Sequence, residues 1–244
     1  MKHLFLSLLL CFFVSSVSAQ SQNISITAKA YMLSDIQSGQ VLAEENANER
    51  IEPASLTKLM TAYVVFSALK QNRLSLEQVV PVSDTAWRMI GSRMFIEPKK
   101  QVTVGELIQG MIVQSGNDAC IALAEVVAGS EASFSEIMNK EAKRLGMQNT
   151  RFINSTGLPD PNHYTTAHDL TLLATAIIRE FPEFYPLYSQ KEYTYNGITQ
   201  PNRNRLLWLD PHVDGMKTGW TKNAGYCLIT SATRDKRRLV SVVI

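Results

Sequence analysis

Ser55 and Lys58, in the stretch EPASLTKLMTAYVV (residues 52–65), stand three positions apart at the head of an apolar run. On a helix beginning at Ser55, positions i and i+3 share a face, so the amine can meet the hydroxyl. A serine hydroxyl is a weak nucleophile until a base takes its proton, and a neutral lysine can be that base. Neutrality near pH 7 requires a depressed pKa, which burial, nearby cations and the positive end of a helix dipole all promote. The placement is itself informative. A capping box puts Glu or Gln three residues after the capping Ser, and this chain has Lys58 there instead. A cation is disfavoured at that end of a helix, which is the environment a lysine base needs. Alone, Ser-x-x-Lys is a weak signal, since a solvated lysine after a cap has the same spacing.

Two more clusters strengthen it. QSGND supplies Ser115-Gly116-Asn117, and GMKTGWT supplies Lys217-Thr218-Gly219. Singly, the first is a good turn and helix start and the second a turn bearing a cation. Together, in this order and each at its expected element, they are poorly explained by chance.

The elements that must position these residues can be read from patterning. AKAYMLSD and VLAEEN flank IQSG as an N-terminal β-hairpin. From Ser55, Leu59, Tyr63, Phe66 and Leu69 recur at helical spacing to about Lys70, predicting a mostly buried helix. VGELIQGMIVQ, NDACIALAEVVAG, SFSEIMNKEAKRLG and TTAHDLTLLATAIIREFP predict four more helices. The third of these four is given a capping box by Ser133 and Glu136 and closed by Gly146. Strand signals then return. EYTYNGITQ carries an Asn-Gly hairpin turn, and GYCLITSAT and RLVSVVI flank the polar turn RDKR. The fold class is therefore α/β in the α+β sense. An antiparallel sheet forms from N- and C-terminal strands, helices pack on it, and a helical lobe is inserted.

Residues 1–19, MKHLFLSLLLCFFVSSVSA, read as a secretory signal peptide, with a basic start, a short apolar run and Ala19 at the cleavage point. Residues 20–244 then form one domain. The formal net charge of +2 gives no support for nucleic-acid binding. Cys120 and Cys227, the two cysteines after the leader, read as small buried thiols rather than as a disulfide scaffold. His163, His168 and His212 lack zinc-ligand spacing and read as polar surface or cap residues; no metal or cofactor is expected.

The three clusters resemble the Ser-x-x-Lys, Ser-Asp-Asn and Lys-Thr-Gly signature shared by class A β-lactamases and penicillin-binding proteins. The wider likeness is to low-molecular-weight penicillin-binding proteins acting as serine D-alanyl-D-alanine carboxypeptidases, with the β-lactamase/transpeptidase-like fold. It runs from about Ile26 to the last residue and includes EPASLTKLMTAYVV, SGNDACIALAE, NRNRLLW and VDGMKTG. The resemblance implies that Ser55 attacks the carbonyl between the two terminal D-alanines of a peptidoglycan stem peptide, with Lys58 as base. Ser115 would relay a proton to the leaving amine, and Asn117 would hold Lys58 and the substrate amide. Lys217 would add positive potential, Thr218 would bond the terminal carboxylate, and the Lys217-Thr218-Gly219 strand would align the peptide edge-on. The backbone N–H groups of Ser55 and Trp220 would form the oxyanion hole. β-Lactams would acylate Ser55, and the enzyme would act in the periplasm or cell envelope.

The chain departs from the family in having Trp220 where His often follows Lys-Thr-Gly. It also ends before the arginine, β-rich domain and anchoring helix found in relatives. A fragment of reduced activity is expected, with membrane association only through an anchor outside this chain. The rival class A β-lactamase needs a Glu ~35 residues past the second motif serine. QNTRFINSTGL contains no acid, and Gly116 replaces the lactamase Asp. A Ser-His-Asp hydrolase lacks its Gly-x-Ser-x-Gly elbow here. A non-catalytic wall-binding module is disfavoured by the intact motif residues.

Overall fold

Apolar strands from opposite ends of the chain meet in one sheet. The computed structural model describes residues 26–244, so the expected signal peptide lies outside the described residues. In chain order, the hairpin β1 (Tyr31–Asp35) and β2 (Gln40–Glu45) leads through a 3-10 turn at Ala54–Thr57 into α1 (Lys58–Lys70). A short ladder of β3 (Val79–Val80) and β4 (Val102–Thr103) brackets the one-turn helix α2 (Asp84–Trp87). Helices α3 (Val104–Gln114), α4 (Asn117–Ala128), α5 (Glu131–Arg144) and α6 (Ala167–Glu180) follow. The hairpin β5 (Glu192–Tyr195) and β6 (Ile198–Pro201) and the short α7 (Leu206–Leu209) precede β7 (Val213–Thr221), β8 (Gly225–Arg234) and β9 (Arg237–Val243).

The main sheet runs β2-β1-β9-β8-β7, and every pairing in it is antiparallel. β1 pairs with β9, so the two ends of the described chain close the sheet, and β7 is left as a free edge. Helix α6 packs on β1 and β9. Helix α1 is buried on nearly every face, from Lys58 to Leu69, as a helix apolar all round must be. It sits among α3, α4, α5 and α6. Phe66 stacks on Phe184 with ring centroids 4.8 Å apart, and Tyr63 meets Phe181 edge-on at 5.0 Å. This is the expected architecture of a sheet covered by helices, with α2 to α5 as the inserted lobe.

Four local expectations change. The α-helix begins at Lys58 rather than Ser55, because Ala54 has a left-handed φ of 47° and the chain enters through the 3-10 turn. The cap of α5 is Ser130, whose hydroxyl accepts from Ser133 N, so Ser133 lies inside the first turn. The strand expected to start at Lys217 begins four residues earlier, at Val213, and Val213, Gly215 and Met216 already pair with β8. His163 is buried rather than superficial. Cys120 and Cys227 are both free and buried.

Candidate active site

The first layer of the site is the turn that carries Ser55. Residues three apart on a 3-10 turn eclipse one another, and Lys58 Nζ lies 3.1 Å from Ser55 Oγ. The amine is buried, with Lys58 only 2% exposed. It donates to Asn117 Oδ1 at 2.7 Å and to the Thr156 carbonyl at 2.6 Å. An ammonium carries three protons and no acceptor, whereas a neutral amine carries two protons and a lone pair. The two strong acceptors engage two protons, and the third direction of the nitrogen faces Ser55 Oγ, where a neutral amine would carry its lone pair. Burial holds the Lys58 pKa below its ordinary value. The Arg203 charge pushes the same way, against the opposing pull of Asp118.

Helices α3 and α4 supply the second layer. Thr103 and Glu106 form a full capping box at the start of α3. The helix ends at Ser115, which takes a left-handed φ of 64°, a conformation uncommon for a residue with a side chain. Its buried Oγ has no hydrogen-bond partner among the described residues. Asn117 opens α4. Its Nδ2 donates to the Ile90 carbonyl at 2.7 Å, and its backbone N–H to the Ser92 carbonyl at 2.7 Å. With Nδ2 committed to a carbonyl, Oδ1 is left to face Lys58. Asp118, fully buried, fixes the loop that offers these carbonyls. Its carboxylate accepts from the backbone N–H groups of Met94, Phe95 and Ile96 at 2.8–3.2 Å.

A loop after α5 forms the floor. Asn154 Oδ1 accepts from Thr156 N at 3.1 Å and Gly157 N at 2.8 Å, a local side-chain turn. It directs the Thr156 carbonyl at Lys58. Gly157 has φ of +84°, and a Cβ there would stand 1.8 Å from the Ala54 carbonyl oxygen. Only glycine allows the loop to lie this close to the nucleophile turn. His163, from the same region, shares a hydrogen bond of 3.0 Å with Thr57 Oγ1 through Nε2.

Strand β7 forms the remaining wall. A Cβ on Gly219 would meet Ser55 N at 3.2 Å, so the strand backbone lies against the nucleophile's own amide. Lys217 is buried and donates to the Thr218 carbonyl at 2.8 Å. Burial pushes its pKa well down, and the charges of Lys58 and Arg203 add to the effect.

Ser55, Ser115, Asn117, Thr218, Gly219 and Trp220 all line one cleft of about 470 Å³. Lys58 bonds Ser55 and Asn117 from beneath it, and Lys217 reaches it through Thr218. Every residue expected from the sequence is thus brought together. The structure adds Thr156, Gly157, Asp118 and Arg203, none of which belongs to the three motifs. Arg203 also lines the cleft, carried between the buried Asn202 and Asn204, whose side chains bond the Gln190 and Gly215 carbonyls. Among the described residues, no group of three or more His, Cys, Asp or Glu side chains could hold a metal ion. No described helix is long and apolar enough to cross a membrane.

Comparison with known proteins agrees with this geometry. Residues 16–244 match the peptidase family S11 model, described as D-alanyl-D-alanine carboxypeptidase. The chain is 52% identical over 227 residues to D-alanyl-D-alanine carboxypeptidase DacC of Escherichia coli, covering 90% of this chain and 57% of that protein. It is 44% identical over 260 residues to E. coli DacA, covering 100% of this chain and 64% of the relative. The crystal structure of penicillin binding protein 5 from Haemophilus influenzae superposes with a TM-score of 0.88 at 47% identity, over 90% of this chain and 65% of that one. The chain therefore spans less than two thirds of the length of each of these relatives. It belongs to the D-alanyl-D-alanine carboxypeptidase family of serine peptidases, the low-molecular-weight penicillin-binding proteins, and has their transpeptidase-like fold.

Proposed function

We propose that the protein is a serine D-alanyl-D-alanine carboxypeptidase that trims the terminal D-alanine from peptidoglycan stem pentapeptides and is acylated by β-lactams. The observation that carries this reading is the environment of Lys58 Nζ, with two acceptors at 2.7 and 2.6 Å and Ser55 Oγ at 3.1 Å. Neutral Lys58 takes the Ser55 proton as Oγ attacks the penultimate D-alanine carbonyl. The developing oxyanion is held by the backbone N–H groups of Ser55 and Trp220, each worth ~3 kcal/mol. Ser115, whose hydroxyl has no hydrogen-bond partner among the described residues, relays the Ser55 proton, giving its own to the leaving D-alanine amine and taking one from protonated Lys58, which is neutral again. The C–N bond breaks, and an ester to Ser55 remains. Water then attacks the ester with Lys58 again as base, regenerating Ser55.

The D-alanine carboxylate binds Thr218. Its charge favours the protonated form of Lys217, and Arg203 on the same cleft offers a planar donor pair. The substrate backbone extends along the free edge of β7. Residues 1–19 direct export, and the enzyme works in the bacterial periplasm or cell envelope.

The test is D-alanine release from a pentapeptide ending in D-Ala-D-Ala, alongside intact-mass detection of a penicillin adduct. Release and an adduct lost in Ser55→Ala are expected. Rapid multiple turnover of nitrocefin points instead to the β-lactamase reading, and absence of any adduct on Ser55 to a non-catalytic wall-binding module.

A further inference from the structure

Trp220 and Tyr226 face each other across β7 and β8 as direct cross-strand partners. Their ring centroids are 6.2 Å apart and the planes are tilted by 46°, so neither ring covers the other's face. Trp220 is 58% and Tyr226 87% exposed, and both line the cleft of Ser55. Two large aromatic surfaces left in water, continuous with a reaction cleft, are suited to an apolar chain or a cation laid across them. Beside them stands Lys222, in the turn after β7, exposed and lining the same cleft. It makes no hydrogen bond or ion pair among the described residues. The nearby carboxylate of Glu52 is engaged by Thr221 and Asn223.

The direction of the bound peptide places a particular residue here. With the terminal carboxylate at Thr218 and the scissile carbonyl at the Trp220 N–H, a peptide paired with β7 runs antiparallel to it. Each residue upstream advances about 3.3 Å along the edge. The stem residue preceding the two D-alanines therefore passes Trp220, Thr221 and Lys222.

We propose that Trp220, Tyr226 and Lys222 form a subsite for this third stem residue. It selects a long aliphatic side chain ending in both an ammonium and a carboxylate, as in diaminopimelate, over one ending in an ammonium alone, as in lysine. The methylenes lie across the two rings, the ammonium sits over a ring face, and the carboxylate pairs with Lys222. A lysine side chain keeps the first two contacts but brings its charge toward Lys222 without compensation. This proposal rests on the carboxypeptidase reading above.

The test compares kcat/KM for D-alanine release from two pentapeptides identical except for diaminopimelate or lysine at the third position. The wild type is expected to favour the diaminopimelate peptide about fivefold, the factor expected of one exposed ion pair. Lys222→Gln brings the ratio to about one. Tyr226→Ala lowers kcat/KM for both peptides about fivefold, as loss of a cation–π and stacking surface predicts. Equal values for the two peptides in the wild type, or a preference that survives Lys222→Gln, overturn the subsite while D-alanine release itself stands. No D-alanine from either peptide overturns the carboxypeptidase reading and the subsite with it.

Discussion

A single methyl group at Gly157 tests how closely the floor loop is built to the nucleophile turn. In Gly157→Ala the new Cβ stands 1.8 Å from the Ala54 carbonyl oxygen and 2.9 Å from Thr57 Oγ1, whereas ordinary contact begins near 3.4 Å. The loop and turn must therefore separate by more than an ångström. The left-handed backbone at +84° costs an alanine about 1 kcal/mol, and forced overpacking about 1–3 kcal/mol more, so a loss of ~2–4 kcal/mol is expected. Ala54 adjoins Ser55, so the separation is delivered to the attacking oxygen and its 3.1 Å approach to Lys58. A misplacement of this size costs about 100-fold in rate. Gly39→Ala is the matched control, with φ of +77° and nothing within 4 Å of the added Cβ. It is expected to lose only the backbone cost of about 1 kcal/mol and to acylate at the wild-type rate. Urea denaturation measures the stability, and the growth of a penicillin adduct by intact mass measures the rate. A Gly157→Ala protein as stable as Gly39→Ala, acylated at the wild-type rate, refutes the coupling of loop to nucleophile.

Other perturbations read different parts of the site. Burial pushes the His163 imidazole down to about 4 from an ordinary 6.5. Between those pH values the unfolded chain binds a proton that the native protein does not, so stability falls as pH drops through the window, by about 3 kcal/mol. His163→Gln should flatten that part of the stability profile, and parallel profiles would count against the buried neutral ring. Burial raises the Cys120 thiol to about 12 and the Cys227 thiol to about 11; neither should be alkylated by iodoacetamide at pH 8 in the native protein. Prompt modification of Cys120 contradicts its full burial. Asp118→Asn weakens the acceptor for three backbone N–H groups of the cleft-rim loop and should cost about 2–4 kcal/mol in denaturation. A loss below about 1 kcal/mol would show that the loop is held by other contacts.

Much of this arrangement is legible in the sequence, and the rest is hidden for physical reasons. Alternation in β1, β8 and β9 and the apolar repeat of α1 reflect burial against one core, which leaves a direct mark on composition. Ser55, Lys58, Ser115, Asn117 and Lys217 could be grouped because each belongs to a characteristic tripeptide or tetrad, the first four at a turn or element boundary and Lys217 within β7. The start of α1 could not be read, because the chain enters it through a 3-10 turn that opens at Ala54, whose φ is left-handed and which packs against the loop at Gly157 about a hundred residues later. Patterning cannot carry such a long-range contact. Thr156 meets Lys58 only through its carbonyl, a contact that leaves no trace in residue type. His163 looked superficial because its partner, Thr57, is distant in sequence and close only in the fold. Arg203 sits in a polar run, NRNR, whose asparagines resemble a solvated loop until their buried bonds to Gln190 and Gly215 are seen.

The claim that a neutral, buried Lys58 deprotonates Ser55 is tested most directly by the pH dependence of penicillin acylation, followed by intact mass in the wild type and Lys58→Ala. The base acts in its unprotonated form, so the rate should rise with pH as Lys58 loses its proton. The midpoint should lie below the ordinary lysine value of 10.5. Lys58→Ala, folded by circular dichroism, should acylate about 10²–10⁴-fold more slowly, the usual contribution of a general base. A folded Lys58→Ala protein that acylates Ser55 at the wild-type rate, or a wild-type midpoint at 10.5, contradicts the account.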